Sequence, residues 1–192
     1  MKKLVVATGN PGKLAEIQEY LVGLPWKLEL KPAEIDVDET GITFIANARL
    51  KASEVARAVG KWSIADDSGL AVDALNGAPG LYSARYGKTD EDRINRLLRE
   101  LGDTQERQAK FVCAIAIADP EGKIISETEG ICPGEILYSP RGEGGFGYDP
   151  IFYVPTEQQT FAEMPAQTKS RVSHRGVAFK QLMPELKQLS QQ

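Results

Sequence analysis

Leu4-Val5-Val6-Ala7-Thr8-Gly9-Asn10-Pro11-Gly12-Lys13 is the stretch that decides the fold class. Its apolar start, with two β-branched valines, reads as a short buried strand. The polar turn stops that strand and a helix follows. Pro11 suits the helix's first turn, where its missing N–H costs nothing. Leu14, Ile17, Leu21 and Val22 then fall on one helical face. A buried strand leading directly into an amphipathic helix is how an α/β protein begins.

Further along, residues 44–59 have the spacing of a second, alanine-rich amphipathic helix. Residues 62–65 and 70–75 read as strands on either side of an acidic turn, Asp66-Asp67-Ser68-Gly69. Thr89 followed by Asp90, Glu91 and Asp92 opens another helix, with a capping hydroxyl and first-turn acids. Residues 110–119 and 123–128 pair as a hairpin across Pro120-Glu121-Gly122, and residues 150–154 form a strand after a glycine-rich loop. Thr160-Phe161-Ala162-Glu163 has the form of a helix capping box. Ser173 caps a final helix bearing Val177, Phe179 and Leu182, which Pro184 should kink or interrupt. Alternating elements followed by a hairpin predict an α/β protein with a mixed sheet.

The 192 residues suit one domain without a separable linker, and 42% hydrophobic with 26% charged residues exclude disordered and collagen-like classes. A net charge of −4 argues against nonspecific nucleic-acid binding while leaving room for a local phosphate pocket. Cys113 and Cys132 sit in apolar or strand-like settings and read as reduced core thiols. Met1-Lys2-Lys3 leads into an apolar run too short for a signal-peptide core, and no stretch approaches a membrane span, so a cytoplasmic protein is expected.

Four stretches carry chemistry. Thr8 to Lys13 is either an ordinary strand-to-helix turn or a phosphate site, with a helix N-terminus, glycines and a solvent-facing Lys13 as a point charge. It is not a Walker loop, because Gly9 and Gly12 stand too close together and Leu14 occupies the place of the magnesium-binding hydroxyl. Asp66 and Asp67, adjacent at a strand end, point to opposite faces, so one can address a cleft as Mg²⁺ ligand or proton acceptor while the other anchors the loop. Glu39, in Asp38-Glu39-Thr40-Gly41, is a second carboxylate for the same ion or a solvated loop residue. Gly142 to Pro150 sets aromatics in a glycine-rich backbone, suited to stacking on a base or forming a bulged hairpin end. Lys169, Ser173, His174 and Arg175 make a cationic knot for a phosphate or a purine carbonyl, although a lone histidine is more often structural.

Taken together, the sequence resembles the non-canonical purine nucleoside triphosphate pyrophosphatases, the inosine/xanthosine triphosphatase family. The matching pieces are Thr8 to Lys13, Glu39-Thr40-Gly41, Asp66-Asp67-Ser68-Gly69, Gly77-Ala78-Pro79-Gly80 with Ser83-Ala84-Arg85, Gly144 to Pro150, and Ser173-His174-Arg175-Gly176. The resemblance implies an elongated mixed β-sheet with flanking helices, in two lobes around a central active-site cleft, and a homodimer. It implies hydrolysis of ITP, dITP or XTP to the monophosphate and pyrophosphate, which cleanses the nucleotide pool. Thr8, Gly9, Asn10, Pro11, Gly12, Lys13 and Lys51 would hold the triphosphate, and Ser68 would touch substrate. Asp67 would be the general base and, with Glu39, a ligand of Mg²⁺. Phe146, Gly147, Tyr148 and Asp149 would hold the purine, with Lys169, His174 and Arg175 completing its recognition. A broader nucleotide pyrophosphatase and a catalytically silent nucleotide sensor are the rival readings. The intact acidic pair speaks against the sensor.

Overall fold

Strand β1 (Lys2–Val6) buries Leu4, Val5 and Val6 on both of its faces, as a strand inside a covered sheet must. It pairs in parallel with β2 (Trp26–Leu30) on one side and with β3 (Trp62–Val72) on the other. The sheet has seven strands in the order β2-β1-β3-β4-β5-β6-β7, completed by β4 (Gln108–Ala118), β5 (Ile124–Ile136), β6 (Phe152–Val154) and β7 (Gln159–Thr160). The β5–β6 and β6–β7 pairs are antiparallel, so the sheet is mixed, as predicted. Helices α1 (Pro11–Tyr20), α2 (Phe44–Val59), α3 (Asp90–Leu101), α4 (Ala166–Val172) and α5 (His174–Gln191) complete the chain. The computed structural model describes residues 1–191, and no helix among them is long and apolar enough to cross a membrane.

The chain forms two compact units, each assembled from separate segments. The first takes Met1–Asp67, Cys113–Gly130 and the residues from Arg175 onward; the second takes Ser68–Val112 and Ile131–His174. In the first unit the two-residue period of the strands sorts the core. Leu4, Val6, Ile64, Cys113, Ile115 and Ile117 pack with Ile17 of α1 and with Phe179, Leu182 and Leu186 of α5. Their neighbours Val5, Ala7, Ala65, Ala114, Ala116 and Ala118 pack on Ala48, Ala52, Val55 and Ala56 of α2. Alanine facing alanine has little side chain to fill a gap, so α2 must lie close to the strands. In the second unit, α3 buries Ile94, Leu97 and Leu101 in a core with Phe111, Phe152 and Phe161.

Several local expectations are corrected. Asp66 to Gly69 is not a turn: β3 runs unbroken through it, because the acids have partners on their own faces of the sheet. The Thr160–Glu163 pair closes as the box pattern requires, with Thr160 N–H donating to Glu163 Oε2 (2.8 Å) and Glu163 N–H to Thr160 Oγ1 (3.2 Å). No helix starts there, however; Pro165 follows and α4 begins only at Ala166. Ser173 stands directly before His174, at the cap position expected for α5, whereas Pro184 does not interrupt that helix. The carbonyl that loses its helical bond there belongs to exposed Lys180, while buried Leu182, Leu186 and Leu189 hold both sides of the proline in the core.

The alanine interface makes a testable statement. Ala52 is wholly buried, and leucine is nearly as good a helix former, so Ala52→Leu probes packing rather than propensity. Overpacking should cost about 1–3 kcal/mol in urea unfolding. Unchanged stability would mean that α2 does not lie close to the sheet.

Candidate active site

Alternation along β3 decides the chemistry of the first unit. Ile64 belongs to the α1/α5 face and Ala65 to the α2 face, so Asp66 returns to the first and Asp67 to the second. Asp66 is 2% exposed, and its Oδ2 lies 3.2 Å from Lys13 Nζ and 3.1 Å from Arg175 Nη2. Arg175, equally buried, also donates to Glu16 through Nη1. Burial alone would raise the Asp66 pKa, but Lys13, Arg175 and Lys51 outweigh it and hold the carboxyl far below the usual range. The Arg175 guanidinium is held charged by the same partners against its own burial.

The other face is built differently. Lys51 lies on the inward stripe of α2, among Ala48, Ala52 and Val55, and is only 14% exposed. Its ammonium bridges Glu39 Oε1 at 2.9 Å and Asp67 Oδ1 at 3.5 Å. Burial pushes the Asp67 carboxyl up, Lys51 pulls it down and Glu39 pushes it up again; the balance lies above the ordinary value. Asp67 Oδ2 is buried with no hydrogen-bond partner among the described residues. Such an atom is an acceptor waiting for a proton or a cation.

Among the described residues no group of three or more histidines, cysteines or acids forms a cage for a metal. A hard divalent ion such as Mg²⁺ does not need one, since it binds through one or two carboxylates and fills its shell with water and phosphate oxygens. Glu39 and Asp67, both reaching the same ammonium, fit that donor set.

Sequence reasoning missed Asn47. It is 2% exposed, its Oδ1 accepts from Gly41 N–H at 2.8 Å, and its side chain also stands by Asp67, whose carboxyl it helps to pull down. Asn47 therefore ties the loop carrying Glu39 to the strand carrying Asp67. Its signal was visible: a polar side chain beside Ala48 on the buried stripe of α2.

The turn before α1 is closed rather than open. Asn10 caps the helix, its Oδ1 accepting from Gly12 N–H (2.9 Å) and Lys13 N–H (3.1 Å), while Thr8 Oγ1 accepts from Asn10 N–H (3.1 Å). The amides read from sequence as phosphate donors are thus already engaged. Lys13 does not face solvent as expected: its side chain is 17% exposed and turned to Asp66.

In the second unit, the glycine-rich loop is organised by Asp149. Its Oδ2 accepts from Phe146 N–H (3.0 Å) and from Lys169 Nζ (2.7 Å), and its N–H donates to Phe146 O (3.2 Å). Gly145 has φ +71°, and a Cβ there would collide with the Asp149 carboxylate, so glycine is required. Phe146 remains half-buried with Lys169 Nζ 4.8 Å from its ring centre. Tyr148 turns into the core, where its hydroxyl donates to Ser83 O at 2.7 Å and burial pushes its pKa up. His174 stacks on Phe111 at 4.6 Å, and Ser68, half-buried in β3, directly follows Asp67.

Comparison with known proteins places this geometry in a family. The model of the Ham1 family matches residues 4–185. A dITP/XTP pyrophosphatase of Nostoc sp. is 64% identical over 185 residues, covering 96% of this chain and 94% of the relative. One from Synechocystis sp. is 62% identical over 183 residues, covering 95% and 94%. The solved structure of a HAM1 protein from Coxiella burnetii matches with a TM-score of 0.89 at 45% identity, over 98% of this chain and all of that one. The Staphylococcus aureus Ham1 protein matches with a TM-score of 0.87 at 42% identity, over 98% of this chain.

The two aspartates should respond oppositely to neutralisation. Asp66 has its folded pKa depressed, so its stabilisation is present above the ordinary value of about 3.9 and is lost as pH falls through the folded value. Asp66→Asn takes the main counter-charge from the buried Arg175 guanidinium and from the partly exposed Lys13 ammonium, and should cost about 3–5 kcal/mol at neutral pH, a deficit that shrinks in acid. Asp67 has its folded pKa raised, so its ionised form burdens the native state above the ordinary value, and Asp67→Asn should leave stability unchanged or higher. Urea titrations across pH measure both. Equal losses would show that the two faces do not differ as described.

Proposed function

The chain belongs to the Ham1 family, and from that membership we propose that it is a nucleoside triphosphate pyrophosphatase acting on non-canonical purine nucleotides. It hydrolyses dITP, XTP and ITP to the monophosphate and pyrophosphate, which keeps these bases out of DNA and RNA. The observation that carries the reading is the pair Glu39 and Asp67 bridged by Lys51, with Asp67 Oδ2 buried and without a hydrogen-bond partner among the described residues.

Hydrolysis needs a water to attack the α-phosphorus while the bridging oxygen leaves with pyrophosphate. Asp67 is proposed to take the water's proton: its carboxyl is raised toward a more basic value, and Asn47 orients it. Lys51 and Lys13 supply fixed positive charge toward the phosphates, with the Thr8–Gly12 turn setting the start of α1. Glu39 and Asp67 are the residues that would hold Mg²⁺, which when bound neutralises phosphate charge and strengthens the leaving group. Phe146 is proposed to stack on the purine, Lys169 and His174 to meet its edge, and Asp66 and Glu16 to orient Arg175 toward the same task. Donors that face a carbonyl at C6 are left unpaired by adenine's amino group, the kind of mismatch that discriminates by about 10⁴. A homodimer is part of the same reading, supported by the resemblance alone, and the two free, buried cysteines are compatible with a cytoplasmic location.

A pyrophosphate-release assay with dITP, XTP, dGTP and dATP side by side tests the function. Turnover confined to dITP and XTP is expected; bound nucleotide without release would favour a sensor. Asp67→Asn should lower turnover by about 10²–10⁴. The acid limb of kcat/KM should lie above the ordinary aspartate value of about 3.9, activity falling as pH drops through it.

Exhaustive chelation should abolish turnover, and Glu39→Gln should raise the Mg²⁺ concentration needed for half-maximal rate. Activity that survives chelation would remove the metal from this reading.

A further inference from the structure

The segment around Ser83-Ala84-Arg85 belongs to none of the clusters above, yet it and the start of α3 hold the loop that carries Phe146. Three hydrogen bonds fix the two peptide planes on either side of Phe146. Two come from Asp149, which accepts from Phe146 N–H and donates to Phe146 O. The third comes from Asp90, whose Oδ2 accepts from Gly147 N–H at 2.9 Å. Gly147 has φ +61°, a conformation in which other residues are strained, so the loop turns sharply just where Asp90 grips it.

Asp90 is itself braced. Its Oδ1 accepts from Arg93 Nη1 at 2.6 Å, and Arg93 Nε donates to Ala84 O at 3.0 Å. At the next residue of the loop, the Tyr148 hydroxyl donates to Ser83 O. Ser83 is fastened in turn, its Oγ accepting from Leu70 N–H (2.9 Å) and donating to Gly80 O (2.6 Å). Consecutive loop residues, Gly147 and Tyr148, are therefore anchored to residues 83–93 through the side chains of Asp90 and Tyr148.

We propose that Asp90 is a positioning residue for purine binding: by holding the Gly147 amide it sets the backbone, and so the ring, of Phe146. The inference rests on the proposed stacking of Phe146 on the base. An ordinary helical role competes with it, since Asp90 is a first-turn acid of α3 and its charge favours the helix N-terminus. The two roles need different things from the side chain. The helix uses the charge; the grip on Gly147 needs an acceptor oxygen, which asparagine keeps while giving up the Arg93 ion pair.

Steady-state kinetics with dITP on Asp90→Ala, Asp90→Asn, Phe146→Ala and the Phe146→Ala/Asp90→Ala double variant separate them. Asp90→Ala should raise KM about three- to ten-fold, the factor expected for the net worth of one hydrogen bond, with kcat within about two-fold of the parent. Asp90→Asn should recover most of the KM, and Asp90→Ala should add nothing once Phe146 is gone. If Asp90→Asn is as impaired as Asp90→Ala, or Asp90→Ala still raises KM in the double variant, the proposal is overturned. An unchanged KM in Asp90→Ala beside a raised KM in Phe146→Ala overturns it alone. An unchanged KM in Phe146→Ala overturns the stacking reading and this inference with it.

Discussion

The charge of Asp66 lies within the core of the first unit, and the surrounding structure is arranged to keep it there. A carboxylate so buried is costly unless cations and hydrogen bonds replace its water. Lys13 comes from the first turn of α1 and Arg175 from the first turn of α5, elements far apart in the chain that are brought to one oxygen in the middle of β3. Glu16 returns some negative charge to Arg175, so the network balances its charges internally. Both helix starts are held against β3 by this network as well as by the apolar residues beneath them.

One register step along the strand, the same residue type has the opposite character. Asp67 has Lys51 as its bridging cation, shared with Glu39, and its Oδ2 is buried without a hydrogen-bond partner among the described residues. Burial therefore wins over attraction for Asp67 and loses for Asp66. A carboxylate left short of partners in the folded state is poorly arranged for stability and well arranged for accepting a proton, the usual exchange at a working site. Asn47 limits what that shortage costs by tying Asp67 to the Glu39 loop.

The second unit solves a different problem, since the half-buried Phe146 ring sits on a glycine-rich loop that must still be fixed. Glycines give the loop its sharp turns but would leave it mobile. Asp149 counters this by binding the Phe146 backbone on both sides and recruiting Lys169. Tyr148 and Gly147 extend the same restraint to the 83–93 segment.

Much of this was legible in the sequence, because it depends on neighbours along the chain. The span of α2, the Thr89 cap of α3 and the hairpin between β4 and β5 follow from periodicity and local hydrogen bonding. The opposite faces of Asp66 and Asp67 follow from the strand's two-residue period alone. Two of the local failures share one reason: Asp66 to Gly69 reads locally as a turn, and Lys13 as a solvent-facing charge, because each finds its partner on a remote segment. Arg175 is 109 residues from Asp66 and Glu16 is 159 from Arg175, separations that no local pattern spans. The residue types available for chemistry were written in the chain; which carboxylate is neutralised and which is left needing a proton was decided only when the helices packed, because burial and charge pairing are properties of the fold.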